Sequence, residues 1–412
     1  MSPKNMIKKL QVFAVVALLV LPLATFSRTA QAAILDPLNE GGFERVGSAE
    51  NKAYDWQDFG SGYTRVPGGH AGQFSMQLQN ATQNAMAGGY QRVDFQQSVQ
   101  KPVFIGAYVK GSNVNMLGGS YFGASIYVEI HMMDGRTLYW NTIANSGTFD
   151  WRWIGFNTGS VSFINGPIDY IFVVPALINA SGTAWFDDVT VADFEPTQAA
   201  VTLMFDDGPA NTFTAAKPLM DSYGYKGVSA IITSYFDQDA EYMTSTQIDT
   251  LYKSGWEIAS HSVNHNDMTL ITPTEAMNEL AASKTALAKW NPQFFATPYG
   301  AYNAYILGEG AKYYSSMRNF EQGSNPQGTF PYDVKVRGIT TLTTMADIQN
   351  WLAEAQAQKR WEVFAFHDIA NTGDDIYHTP VAQFKQILEA VSASGVPVKT
   401  YSDALQQFGV AR

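Results

Sequence analysis

From Ala199 onward, short apolar runs alternate with longer stretches of helical period. The runs at 199–205, 227–233, 256–259, 294–296, 313–317, 334–336, 363–366 and 396–399 predict strands. Helices are predicted over Thr212–Tyr223, Thr246–Ser254 and Thr274–Lys289, with others between the later strands. Repeated strand–helix units predict a parallel sheet with helices outside, and their number suits an irregular (β/α) barrel over residues 199–412. Residues 34–193 follow another pattern. Short alternating runs, Pro102–Lys110, Ser125–His131, Trp151–Phe156 and Tyr170–Val174, are separated by Gly and Asn clusters such as Gly68-Gly69, Gly118-Gly119 and Asn145-Ser146-Gly147. That pattern predicts an all-β sandwich. Residues 194–198 form a short polar linker, so the expected fold is multi-domain, a sandwich followed by an α/β barrel.

The first residues belong to neither part. Lys4, Lys8 and Lys9 precede the apolar stretch Val12–Leu21, and Ala30-Gln31-Ala32 follows as a small-residue cleavage site. The apolar run is shorter than the ~20 residues a membrane span needs, so residues 1–32 read as a secretory signal and the protein as secreted or periplasmic. The net charge of −11 understates the acidity of the remainder, because the first 32 residues carry four basic side chains and no acid. Such a balance excludes nucleic acid or an anionic membrane as the main partner and suits a neutral polymer or a cation. No protein partner and no membrane span beyond the signal is evident. The absence of cysteine excludes disulfides, thiolate metal ligands and a cysteine nucleophile.

The chemistry concentrates after the predicted strands. The run Val201–Phe205 ends in the adjacent carboxylates Asp206 and Asp207, followed by Gly208-Pro209. Like charges side by side need a cation or a metal, and the carboxyl ends of barrel strands are where such folds place chemistry. His261 and His265, Pro298 and Tyr299, and His367 also follow predicted strands. The spacing His261-x-x-x-His265 puts both imidazoles on one side of a helical turn, able to converge on one ion. Two histidines and a carboxylate with an open position make a hydrolytic metal site. Its metal would polarise a carbonyl and lower the pKa of water, while a carboxylate takes a proton and a histidine returns one. Structural readings compete: an acid pair capping the helix before Thr212, and His367 as a core histidine. His378, in the polar segment after Asp374, reads as a solvated surface residue; His70 and His131 are assigned nothing. A glycoside hydrolase using paired carboxylates is the rival enzyme class.

Together, Met204-Phe205-Asp206-Asp207-Gly208-Pro209, His261 to His265, Thr297-Pro298-Tyr299-Gly300 and Phe366-His367-Asp368 resemble the ordered motifs of the polysaccharide deacetylase (NodB-homology, carbohydrate esterase) family, over about 199–405. The resemblance implies metal-dependent hydrolysis of acetyl groups on an acetylated polysaccharide. N-acetylglucosamine polymers such as chitin or poly-N-acetylglucosamine are the first expectation. Esterase action on O-acetyl xylan and non-catalytic glycan binding by a degenerate barrel are the alternatives. It assigns Asp207, His261 and His265 to the metal, with zinc first and cobalt or nickel suited to the same ligands. It makes Asp206 the general base and His367 the general acid, with the Tyr299 backbone N–H, beside Pro298, holding the oxyanion. Two departures stand out. Ala296 occupies the position of the family's third-motif arginine, which pairs with the catalytic aspartate. The fourth motif is not recognisable, Asp333 being the nearest candidate. Both departures are similar to the branch acting on exported biofilm poly-N-acetylglucosamine, and they imply low intrinsic activity.

The sandwich carries a second resemblance. Leu38–Glu44, Gly69–Met76 and Trp185–Val189 are similar to the opening, a turn and the close of jelly-roll carbohydrate-binding modules. These modules hold a structural calcium near their chain ends, which here would involve Glu44 and Asp187. Trp56, Tyr63, Tyr90, Tyr121, Trp140, Trp151 and Trp153 divide between core packing and stacking on sugar rings, and none is singled out as a sugar contact.

Overall fold

A computed structural model describes residues 37–373 and 375–410; the predicted signal at 1–32 lies outside the described residues. The N-terminal part has ten strands: β1 (Gln57–Gly60), β2 (Thr64–Pro67), β3 (Phe74–Asn80), β4 (Met86–Asp94), β5 (Val103–Met116), β6 (Gly123–Met132), β7 (Thr137–Asn141), β8 (Gly147–Asn157), β9 (Ile168–Ile178) and β10 (Ala180–Asp193). They form two five-stranded antiparallel sheets, in the orders β1-β4-β9-β6-β7 and β2-β3-β10-β5-β8. Alternation decides the faces. On β9, Ile171 and Val173 are buried while Tyr170 and Phe172, which alternate with them, stay half-exposed. The inward residues of both sheets, among them Met76, Leu78, Ile105, Val128 and Phe186, form one core. Trp56 and Tyr63 belong to that core, and the Tyr63 hydroxyl accepts the Ala53 N–H at 2.9 Å. Tyr121 is exposed, whereas Tyr90, Trp151 and Trp153 are half-buried.

The C-terminal part is a closed barrel of seven parallel strands. These are β11 (Ala200–Phe205), β12 (Val228–Ile231), β13 (Glu257–Ser260), β14 (Phe294–Ala296), β15 (Ser316–Gln322), β16 (Val334–Gly338) and β17 (Trp361–Phe366), which pairs back onto β11. Small side chains, Ala200, Ala230, Ala259, Ala296 and Ala365, pack its interior together with Met204. The outer helices include α1 (Lys217–Ser222), α2 (Ser245–Lys253), α3 (Pro273–Ala286), α4 (Ala304–Gly310), α5 (Met345–Gln358) and α6 (Val381–Ser394). Thr244, Thr272 and Thr344 start α2, α3 and α5 with capping boxes, which satisfy N–H groups the helices leave unpaired.

The strand predicted at 396–399 is not formed; only Val398 bridges to Val201. The chain instead enters α7 (Tyr401–Phe408), which plugs the amino end of the barrel. Tyr401 is fully buried there against Phe294 and Trp361, and its hydroxyl lies 3.0 Å from Ser316 Oγ. A closed barrel with a plugged base leaves chemistry only the opposite end. Among the described residues, no helix is long and apolar enough to cross a membrane.

Sandwich and barrel share a core at their seam. Phe194, within the predicted linker, is buried with Phe104 and Ala192 on one side and Met317, Phe330 and Tyr332 on the other. The Trp153 and Phe330 rings meet at 4.9 Å, and Asn157 Nδ2 donates to the carbonyls of Gln327 and Gly328 at 3.1 and 2.9 Å. This contact predicts one cooperative unfolding transition for both parts. Phe330→Ala should remove about 3–5 kcal/mol of stability and split that transition into two, as read by calorimetry. A single transition with unchanged midpoint would contradict the account.

Candidate metal centre and active site

Asp206 and Asp207 sit where β11 ends, and the chain turns sharply there. Asp207 and Gly208 both take left-handed backbone angles, with φ of 67° and 78°. Asp206 N–H donates to the Phe366 carbonyl at 2.8 Å, which fixes the turn against β17. The two carboxylates therefore point to different partners.

Asp207 faces the histidines. Its Oδ1 lies 3.3 Å from His261 Nε2 and 3.4 Å from His265 Nε2, and the three side chains are a cluster able to hold one metal ion. The histidines do not converge by lying on a helical turn, as the spacing suggested. Residues 261–265 form a tight loop in which Ser262 and His265 adopt φ of 68° and 59°. The buried Glu279 of α3 holds that loop. It accepts the N–H of Val263 and Asn264 at 2.7 and 2.9 Å, and the side-chain amides of Asn264 and Asn266 at 2.8 and 3.2 Å. Ser262 Oγ accepts the His265 N–H at 2.9 Å.

The donor set fits a cation. His261 Nδ1 lies 2.8 Å from the Ala296 carbonyl and must donate to it, so the neutral ring presents a lone pair at Nε2. That lone pair faces Asp207 Oδ1, which is buried without a well-formed hydrogen bond. Two acceptors facing each other in a buried site repel unless a positive ion lies between them. Burial raises the Asp207 carboxyl pKa, but positive charge on the imidazole side, at His261 first, outweighs it and holds the group well below the usual carboxylate range, as a cation placed between them would. Burial, then the His261 charge, lowers His265.

Asp206 faces the other way and is almost fully buried. Its Oδ1 accepts from Arg318 Nη2, and its Oδ2 lies 3.6 Å from His367 Nε2. Arg318 was not singled out in the sequence. It lies on β15, directly opposite Ala296 in the pairing with β14. The guanidinium missing at Ala296 is thus supplied by the neighbouring strand. The available signal was position: Arg318 directly follows the run predicted as a strand at 313–317, as the other site residues follow theirs.

His367 follows β17. Burial lowers its pKa, and its Nδ1 is enclosed without a partner. His378 is also corrected: it is buried, not solvated, with Nδ1 2.7 Å from Asp368 Oδ2. Asp368 Oδ1 accepts from Asn211 Nδ2, and Asn211 Oδ1 accepts the Ile369 N–H at 3.2 Å, so the segment after His367 is tied to the entry of α1. Tyr377 lays its ring 4.6 Å from the His367 ring. Across the site, Tyr299 is exposed with its ring 4.6 Å from His265, and Pro298 beside it is buried. Tyr299 and Gly300 are left-handed, with φ of 56° and 66°, and a Cβ on Gly300 would meet Phe320 Cβ at 2.4 Å. The turn after β14 therefore requires glycine there. Asp333 lies behind the site, hydrogen-bonded to Asn319 Nδ2 at 2.7 Å, with its carboxyl pushed up to about 6 by burial.

Glu44 and Asp187 anchor a common turn in the sandwich. Glu44 Oε1 accepts the N–H of Gln73 and Phe74 at 2.8 and 3.0 Å, and Asp187 Oδ2 that of His70 and Ala71 at 2.7 and 3.2 Å. Burial pushes the Asp187 carboxyl up to about 7. Neither acid belongs to a cluster of three or more candidate ligand side chains; among the described residues that is found at Asp207, His261 and His265.

Residues 194–314 match the family model described as Polysaccharide deacetylase, a stretch that holds Asp206, Asp207, His261, His265 and Tyr299 and ends before His367. A bifunctional xylanase/deacetylase of Pseudobutyrivibrio xylanivorans is 23% identical over 306 residues, covering 71% of this chain and 45% of that protein. The chain spans less than half the length of the curated relatives it matches, 45% and 42% for two of them. Among solved structures, a Streptococcus pyogenes deacetylase in complex with acetate is 28% identical with a TM-score of 0.30, covering 31% of this chain and 59% of that one. The family 4 carbohydrate esterase from Streptomyces lividans is 18% identical with a TM-score of 0.38, covering 52% and 97%.

Two outcomes follow from the geometry. Arg318→Met strands a buried carboxylate and should cost about 3–5 kcal/mol in chemical denaturation; a loss under about 1 kcal/mol, the range of an exposed pair, would contradict the buried pair. His265 and His367 have pKa values lowered on folding, so their contribution is intact above the unfolded value of about 6.5 and is lost as pH falls through the folded values. The ring resonances of His265 and His367 in chelator-treated protein should therefore titrate by NMR with midpoints below about 6.5, and midpoints at or above that value would refute it.

Proposed function

We propose that the polysaccharide deacetylase domain carried by this chain is an active, metal-dependent hydrolase that removes acetyl groups from a polysaccharide, N-acetyl groups of an N-acetylglucosamine polymer first among them. The observation that carries this reading is the convergence of Asp207, His261 and His265 beside the Arg318–Asp206–His367 row. A bound divalent cation, zinc by donor type with cobalt or nickel suited to the same donors, supplies polarisation of the acyl oxygen and of the attacking water. Asp206 takes the proton that water gives up. Arg318 holds one oxygen of that carboxylate and so keeps the other oriented toward His367. His367, whose Nε2 lies 3.6 Å from Asp206 Oδ2, receives that proton and hands it to the departing nitrogen, so that water and the acetamide become acetate and a free amine. The left-handed turn at Tyr299 supports giving its backbone N–H to the developing oxyanion.

Arg318 also weighs against a degenerate, binding-only barrel, because a site that has lost its chemistry has no need of a buried ion pair aimed at it. A paired-carboxylate glycosidase fits less well. Asp206 is engaged by Arg318 and His367, and Asp207 by the two histidines, which leaves no two free carboxyl groups facing each other. The similarity to a protein named as a xylanase/deacetylase favours one second reading, ester hydrolysis on O-acetylated xylan by the same residues.

The sandwich is part of the proposal. Apart from the hairpin β6–β7, successive strands from β3 to β10 alternate between sheets, giving β3-β10-β5-β8 and β4-β9-β6-β7, an order that supports the jelly-roll reading and with it a carbohydrate-binding role. The charged and apolar order of residues 1–32 supports export.

The test is acetate release from chito-oligomers, poly-N-acetylglucosamine, peptidoglycan and acetylated xylan, with and without chelator. Release that chelator stops and added zinc restores is expected from at least one. Asp206→Asn should lower turnover by about 10²–10⁴-fold with metal content unchanged. Full activity in that variant would remove Asp206 as the base, and shortened chains without acetate would move the reading to a glycosidase.

A further inference from the structure

Between β8 of the sandwich and α4 of the barrel lies a cleft of about 480 Å3. Trp151 and Tyr305 give it aromatic walls, and Arg152, Asn303, Glu309 and Lys312 give it polar ones. The cleft is built. Arg152 Nη1 crosses from the sandwich to donate to the Ala304 carbonyl at 2.9 Å, at the first turn of α4. Gly308 makes room for that guanidinium, since a Cβ there would lie 2.9 Å from Arg152 Nε. The cleft's barrel wall is also tied to both loops of the candidate site. Asn303 follows Tyr299 by four residues, at most about 14 Å of chain. The Tyr305 hydroxyl donates to the Pro273 carbonyl at 3.1 Å, at the start of α3, whose Glu279 holds the His261–His265 loop.

We propose that this seam cleft is a distal subsite that grips the polysaccharide chain away from the reacting acetyl group, an inference that rests on the deacetylase reading. Its chemistry selects a neutral glycan. An indole and a phenol offer faces to sugar C–H groups, and amide, ammonium and carboxylate groups offer partners to hydroxyls. Lys312 Nζ contacts both Glu309 oxygens at 2.8 Å, and the other charged lining residues, Arg152 and Asp150, are of opposite sign, so the lining carries no net formal charge to attract a charged polymer. The subsite uses side chains from both parts, so it exists only because sandwich and barrel share a core.

The experiment compares kcat/KM on a long acetylated polymer with that on 4-methylumbelliferyl acetate, which is too small to reach the cleft. In Trp151→Ala the polymer-to-small-ester ratio should fall about tenfold, and Trp151→Phe, which restores an aromatic face, should recover most of it. An unchanged ratio, or equal losses on both substrates, would overturn the proposal. If the unaltered protein released acetate from nothing, the deacetylase reading would fail by itself. The cleft would then be judged by retardation in native gels containing the polymer. Weaker retardation of Trp151→Ala would uphold the subsite, and equal retardation would overturn it.

Discussion

The site depends on one buried ion pair, Arg318 with Asp206. Both side chains are about 1% exposed, and neither charge has water to fall back on. Taking two charges out of water is expensive, so such a pair contributes little net stability and is strongly destabilising when half of it is removed. What it does provide is a carboxylate with one oxygen fixed and the other aimed toward His367. The neighbouring Asp207, one residue along, is held by imidazoles instead. Two adjacent acids with opposite duties are possible only because the backbone turns left-handed between them.

That turn is one of several. Asp207, Ser262, His265 and Tyr299 all have positive φ without being glycine, and all belong to or border the candidate metal site. Each such residue costs of order 1–3 kcal/mol. The compensation is local: Glu279 receives four N–H groups of the histidine loop, and Ser262 Oγ receives a fifth. The loop is thus held in the geometry that brings the two Nε2 atoms to Asp207 Oδ1, so little reordering is left for a ligand to cause.

The barrel and the residues at its carboxyl end were legible in the sequence because strand–helix alternation and motif order are local properties. Asp206, Asp207, His261, His265 and His367 could be placed together without coordinates, since each follows a predicted strand. What escaped was lateral. Arg318 is 22 positions after Ala296 but pairs with it across one hydrogen-bonded ladder, a relation set by register and invisible to a motif read along the chain. Glu279 escaped because one acid on a helix looks solvated until the loop it holds is known. His378 was misread for the converse reason: its polar surroundings are real, but they fold inward onto Asp368. The strand expected at 396–399 failed because the barrel had already closed between β11 and β17, leaving Val398 a single bridge to make.

The seam extends the same reasoning beyond the barrel. Had Phe194 been exposed, the polar stretch around it would have behaved as a tether and the sandwich as a separate module. Its burial among Phe104, Phe330 and Tyr332 makes the sandwich a fixed wall beside the barrel, and Arg152 reaches from that wall to the helix that follows the Tyr299 turn. A polymer bound by a freely tethered module gains local concentration but no orientation. A polymer bound against a wall in fixed register with the site gains both. Rigidity at the seam is therefore as much a part of how this chain would select its substrate as the ion pair is of how it would act on it.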